Sequence, residues 1–215
     1  MSGGATPSDG GISTTLVIDS ATDACSVALF RSGEFLAGEL RLLGRGHAEA
    51  LVPMIAALPG RGRADRIAVA LGPGSFTGVR VGLAAARALA LAWGGKVCGY
   101  STLALVAAMA RAELGAQSLG IAMTGGHGEW FVESYDEAGQ VTFPLASLAP
   151  AEAAQILRDK LVAGSQAEAL VAERGYGTAL SVLPDARSFS LLPKQALVQD
   201  TRPIYGRAPD ARLPT

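Results

Sequence analysis

The stretch from Leu71 to Trp93 restricts this chain more than any other. It reads as the end of a strand, a glycine-rich turn and a helix. Gly72, Pro73 and Gly74 break any regular element. The helix that follows carries Gly78, Gly82, Ala86 and Ala90 at every fourth position, so all four share one face. Such a face buries little apolar area and sacrifices about 1 kcal/mol of helix propensity at each glycine. Something must offset that cost by approaching closely enough to gain dispersion contacts along the backbone. Two partners satisfy the pattern, the chain's own sheet or a helix of another chain, and the second is the expectation adopted. Gly78-x-x-x-Gly82 also matches a membrane packing motif, but Arg80 and Arg87 interrupt the run and it reads as too short for a bilayer.

At 215 residues the chain is long enough for two lobes with real cores. Its net charge of -1 speaks against a protein that grips nucleic acid alone, which needs a basic face. Cys25 and Cys98 lie far apart and make no metal-type pair, which suits a reducing compartment. Residues 1–13 lack a basic start and an apolar core, so they read as a flexible tail rather than a signal peptide.

Along the chain, short apolar runs at Leu16–Ile18, Cys25–Phe30 and Phe35–Leu40 predict a three-stranded meander. Ala48, Leu51, Val52, Ile55 and Leu58 predict a helix, with Pro53 kinking it or marking its first turns. Strands follow at Arg66–Leu71 and Lys96–Ser101, then a helix from Thr102 with a Ser/Thr cap. Leu119–Thr124, Glu129–Tyr135 and Gln140–Phe143 restart the opening meander, so the chain is internally duplicated. The remainder predicts a helix over Pro150–Val162, a strand over Ala169–Ala172 and disorder after Ala208. Strands alternating with helices give an α/β class.

Gly72-Pro-Gly-Ser-Phe-Thr-Gly-Val-Arg-Val-Gly82 resembles the signature of the TsaB (YeaZ) family. Ile18-Asp-Ser-Ala-Thr-Asp-Ala-Cys-Ser-Val-Ala-Leu29 is similar to that family's opening, and Pro203-Ile-Tyr-Gly-Arg207 to its closing Pro-x-Tyr-x-Arg. The resemblance implies a two-lobed ASKHA fold (actin-like, RNase H-like), the superfamily of acetate kinase, sugar kinases, heat-shock chaperones and actin. The lobes would be residues 14–105 and 106–207, with a second tail at 208–215. It implies a subunit of the bacterial machinery that makes threonylcarbamoyladenosine next to the tRNA anticodon. Its partners would be a TsaD-like catalytic subunit and a TsaE-like ATPase, with a homodimer when alone and tRNA approached only indirectly. No cofactor is required by this chain, ATP and Mg²⁺ entering through the partners. Localisation would be cytoplasmic, with no membrane.

An acidic residue at the tip of the first strand, facing a Ser/Thr turn, opens the phosphate-binding half of that superfamily, so Asp19 is a weak nucleotide candidate together with Gly72 and Gly74. The matching slot of the second half, Ala122 to Thr124, offers no carboxylate for Mg²⁺, and Thr124-Gly-Gly126 stands where the family has Asp-Ala-Arg. His47 has Leu51 four residues on, where catalytic relatives have a second metal-binding histidine, so it reads as structural or interfacial. The chain thus reads as the architecture without the chemistry. Its expected partner interface is His47, Leu51 and Ile55 on the first helix, with Gly78, Arg80, Gly82, Ala86, Arg87 and Ala90 on the second. A kinase or ATPase of the same superfamily and a glycoprotease-type metallopeptidase remain as rival classes. Trp130 and Phe131, adjacent on a strand, are expected in the core on opposite faces.

Overall fold

The computed structural model describes residues 13–206. The tails expected at 1–13 and 208–215 therefore lie, Ser13 aside, outside the described residues. Two five-stranded sheets form the two lobes. In the first, β1 (Thr14–Asp19), β2 (Ala24–Arg31) and β3 (Glu34–Leu42) make the meander, and β4 (Arg66–Ala70) and β5 (Lys96–Tyr100) extend it in parallel, giving the order β3-β2-β1-β4-β5. The crossovers are α1 (His47–Ala57) and α2 (Phe76–Trp93).

After α3 (Thr102–Leu114) the plan repeats. Strands β6 (Leu119–Thr124), β7 (Trp130–Tyr135) and β8 (Val141–Leu148) form a second meander. Then come α4 (Pro150–Ile156), β9 (Leu161–Ala163), α5 (Ala167–Arg174) and β10 (Thr178–Leu180). The order β8-β7-β6-β9-β10 copies the first sheet strand for strand. The fold is thus the duplicated, actin-like α/β architecture.

Three local expectations fail. The helix expected over Pro150–Val162 stops at Ile156, because Leu157 turns extended and Leu161–Ala163 pairs with Leu119–Ile121 as a strand. The strand expected over Ala169–Ala172 is the middle of α5, whose Ala167 and Leu170 face the core and whose Ala/Glu content favours helix. Third, the segment after β10, assigned to the second lobe, returns to the first. A 3₁₀ turn at Ala186–Leu191 lays Phe189 against Phe30 and Tyr100 (ring centroids 5.8 Å apart in both cases), and Ala186 N–H donates to Ser26 Oγ at 2.9 Å.

Helices α1 and α2 lie side by side on the other face of this sheet, α1 on β2 and α2 on β4 and β1. Helix α1 runs on through Pro53. Helix α3 joins the lobes: Leu105 belongs to the first core, while Leu103, Val106, Ala107 and Ala110 belong to the second. Trp130 and Phe131 are buried on opposite faces of the second sheet, as expected.

Candidate functional site

The glycine signature turns out to clamp one short loop, the turn from Ser20 to Asp23 that follows β1. Ser75 caps α2, its Oγ accepting from Gly78 N–H at 3.2 Å, while its own N–H donates to Ala21 O at 2.7 Å. Ser20 Oγ donates to Gly78 O at 2.9 Å. A β-carbon on Gly74 would stand 2.0 Å from Ala21 O, one on Gly78 2.1 Å from Ser20 O, and one on Gly82 2.5 Å from Ser20 Oγ. No side chain fits at any of the three. Further along the same face, Ala86 and Ala90 are buried in the first core.

This corrects the principal sequence expectation. The ribbon Gly78, Gly82, Ala86 and Ala90 is covered by the chain's own β1–β2 turn and sheet, not held open for another chain. Leu51 and Ile55 are likewise core residues. His47 is buried at the start of α1 and its Nε2–H donates to Thr22 O at 2.8 Å; the carbonyl can only accept, which fixes the tautomer. It braces the same turn from the α1 side. Helix α2 also proves long enough, at 18 residues with a mean hydropathy of 1.2, to meet the minimum for a bilayer span, although its small face lies on the sheet.

Arg80 and Arg87 share a stripe of α2, and both reach the C-terminal segment. Arg87 donates to Thr201 O at 2.8 Å, and Arg80 Nε to the Tyr205 hydroxyl at 3.4 Å. That segment is further tied by the Gly99–Val198 bridge and by Ile204 N–H to Leu71 O at 2.7 Å. It runs beside Gly72, where a β-carbon would stand 2.8 Å from Ile204 O. Gly72 therefore meets protein backbone rather than a ligand.

Asp19 is fully buried. Its Oδ1 accepts from Ala21 N–H at 3.1 Å and its Oδ2 lies 3.3 Å from the Tyr100 hydroxyl, which also reaches Ile18 O at 3.2 Å. Burial pushes the carboxyl up to about 7, against the opposing pull of those two hydrogen bonds. The protonated form suits the geometry: Asp19 O–H donates to the Tyr100 oxygen, freeing the phenol proton for Ile18 O. Burial likewise raises Tyr100 well above its ordinary value.

Between the lobes lies a cleft of about 680 Å³. The first lobe contributes Thr22, Asp23, Gly74, Ser75, Phe76 and Arg80, the second Met123, Thr124, Gly125, Gly126, His127 and Phe131. Tyr205 and Gly206 close one side. Asp19 does not line it. Thr124, the last residue of β6 as Asp19 is of β1, does line it, held by Ser165 and Gln166. The magnesium-nucleotide that the superfamily implies does not fit these residues: the strand-tip carboxyl Asp19 is sealed behind the turn, the matching second-lobe position has no carboxyl, Asp23 is the one carboxylate among the described lining residues, and among the described residues no three His, Cys, Asp or Glu side chains converge on a metal position.

Residues 41–200 match the family model described as TsaD: tRNA N6-adenosine threonylcarbamoyltransferase. The solved structure of YeaZ from Pseudomonas aeruginosa superposes with a TM-score of 0.76 at 29% identity, covering 90% of this chain and 100% of that one. A second, the crystal structure of an uncharacterized protein with similarity to peptidase YEAZ from the same organism, gives 0.77 at 30% identity over 91% and 100%. This chain belongs to the TsaB (YeaZ) family. The TsaB family member of Escherichia coli, a tRNA threonylcarbamoyladenosine biosynthesis protein, is 39% identical over 131 residues, 58% of this chain and 56% of that relative. For Haemophilus influenzae the figures are 43% over 82 residues, 36% and 34%. The aligned stretches thus span about half or less of these curated TsaB relatives. The ethanolamine utilization protein EutJ of Carboxydothermus hydrogenoformans, at 13% identity and a TM-score of 0.50, shares the fold.

The cleft residues Phe76, Met123, Leu183 and Tyr205 were missed as site residues. Phe76 and Tyr205 stand inside the quoted TsaB motifs, but only the return of the C-terminus beside α2 brings them together, rings 5.4 Å apart.

Proposed function

We propose that this chain is a non-catalytic subunit in the formation of threonylcarbamoyladenosine in tRNA, pairing with a TsaD-like transferase that carries the chemistry. The observation that supports silence is the sealing of Asp19 opposite a second-lobe position occupied by Thr124. Phosphoryl chemistry needs paired acidic ligands open to the cleft at these strand tips; Asp19 is sealed and Thr124 carries no charge. A TsaE-like ATPase joins the pair and supplies ATP and Mg²⁺. Transfer RNA is met mainly through TsaD, in the cytoplasm.

With the small ribbon buried, the pairing surface is the opposite, outward face of the same two helices. Ala48, Val52 and Ala56 recur at every fourth position of α1 and are exposed. On α2, Arg80, Ala84, Arg87, Ala88 and Leu91 form a second exposed stripe beside it, with Leu91 87% exposed. Two adjacent helices with alanine and isolated large apolar residues accept two helices of a partner in a four-helix contact, and without that partner a second copy takes the place. The contact holds the TsaD-like cleft in its working geometry.

The test is co-elution of the full chain with TsaD from the same bacterium. Val52→Glu and Leu91→Glu, both at exposed positions, are expected to keep the wild-type melting temperature and lose the complex. A full heterodimer with both variants would remove this face from the account.

A further inference from the structure

The cleft carries more chemistry than a silent scaffold uses. On one lip the Arg80 guanidinium lies 3.5 Å above the Phe76 ring and bonds Tyr205, and among the described residues it has no carboxylate partner. Two hydroxyl groups near it keep a proton to give. Ser75 Oγ accepts from Gly78 N–H and Tyr205 Oη accepts from Arg80, and among the described residues neither donates to a protein group. This lip therefore presents donors and a positive charge, with the Asp23 carboxylate also on the first-lobe side of the cleft. The opposite wall carries an apolar patch, Met123, Phe131 and Leu183, beside Thr124, His127, Ser147 and Ser165. Ser147 and Thr124, also in the cleft, are already spent on Glu129 and on Ser165 and Gln166. Phe76 and Tyr205 remain half exposed, at 54% and 45%, although the cleft is large enough for a drug-sized molecule.

We propose that this cleft binds a small organic anion with a flat apolar body. Its charged end sits on Arg80, Ser75 and Tyr205, and its body lies against Phe131, Met123 and Leu183. An anion paired with a planar guanidinium gains charge-assisted hydrogen bonds, and a flat body gains area from aromatic walls. No metal is involved. The site shares Arg80 with the outward helix face but not Val52 or Leu91, so a failure of the pairing test at those two positions leaves this site standing.

The probe is anilinonaphthalenesulfonate, an anion of this description whose fluorescence rises on leaving water, titrated into the full chain without magnesium. A saturable rise at one molecule per chain is expected. Arg80→Met should weaken it about tenfold or more, and Arg80→Lys should restore most of the affinity. Leu91→Glu, on the outward face, should leave it unchanged. Indole acetate and adenosine monophosphate then distinguish a carboxylate from a phosphate ester as the natural head group, according to which displaces the probe. Equal affinity in wild type and Arg80→Met, loss of the signal in Leu91→Glu, or displacement by neither competitor would each overturn the assignment.

Discussion

The two lobes share one strand order and differ in what lies behind the tip of the first strand of each. In the first lobe, β1 ends in Asp19, held by the Tyr100 hydroxyl, and the turn after it is locked by the glycine face of α2 and by His47 of α1. In the second, β6 ends in Thr124, and Gly125, Gly126 and His127 of the loop after it lie open to the cleft. Duplication thus preserved hydrogen-bonded topology, while the strand tips diverged into a packed joint and an open wall. Side-chain burial, not backbone plan, distinguishes them.

The sharpest way to break this contrast is to add one methyl group where α2's glycine turn packs on the first loop and one on the second loop itself. Gly74→Ala drives a carbon into the Ala21 carbonyl and is expected to destabilise by several kcal/mol or prevent folding. Gly126→Ala meets nothing within 4 Å and should stay within about 0.5 kcal/mol of wild type. Urea unfolding of both variants checks the pair; equal losses would refute the packed-versus-open distinction.

Asp19→Asn tests the joint electrostatically. The native carboxyl titrates at about 7, above its ordinary value of 3.8. Between those values the folded state holds a proton that the unfolded state has released, so Asp19 contributes a loss of stability as pH rises through this window and a constant penalty above it. Asparagine keeps the hydrogen bonds without the charge. The variant should therefore match wild type near pH 4 and exceed it at pH 8 by on the order of a few kcal/mol. A pH-independent difference between the two melting curves would count against a proton on Asp19.

A smaller effect is expected where the C-terminal segment meets α2. Arg87→Ala removes an exposed hydrogen bond to Thr201 O, so global stability should fall by about 0.5–1.5 kcal/mol at most. Amide exchange should quicken at Val198 and Ile204, which bond Gly99 and Leu71 of the first lobe, and stay unchanged across β6–β10. Faster exchange in the second lobe would show that the segment supports both.

Much of this was legible in the residues. Strand and helix periodicity placed both meanders and the first three helices, because each element has enough length and enough apolar contrast to declare its period. The short elements misled: β9 and β10 have three residues each, too few for an alternation to register, and they exist through pairing with β6 and with each other. Asp19 was legible as a strand-tip acid, but its seclusion depends on Tyr100 and Ala21 closing over it.

By itself the sequence determined the duplicated α/β plan, the glycine turn with the helix after it, and the need for something to lie very close along Gly78, Gly82, Ala86 and Ala90. Only the tertiary structure decided what that neighbour is. A missing side chain specifies a distance and not an identity; the Ser20–Ala21 backbone, brought there by β1, fills the space first and leaves the opposite helix face for any other chain.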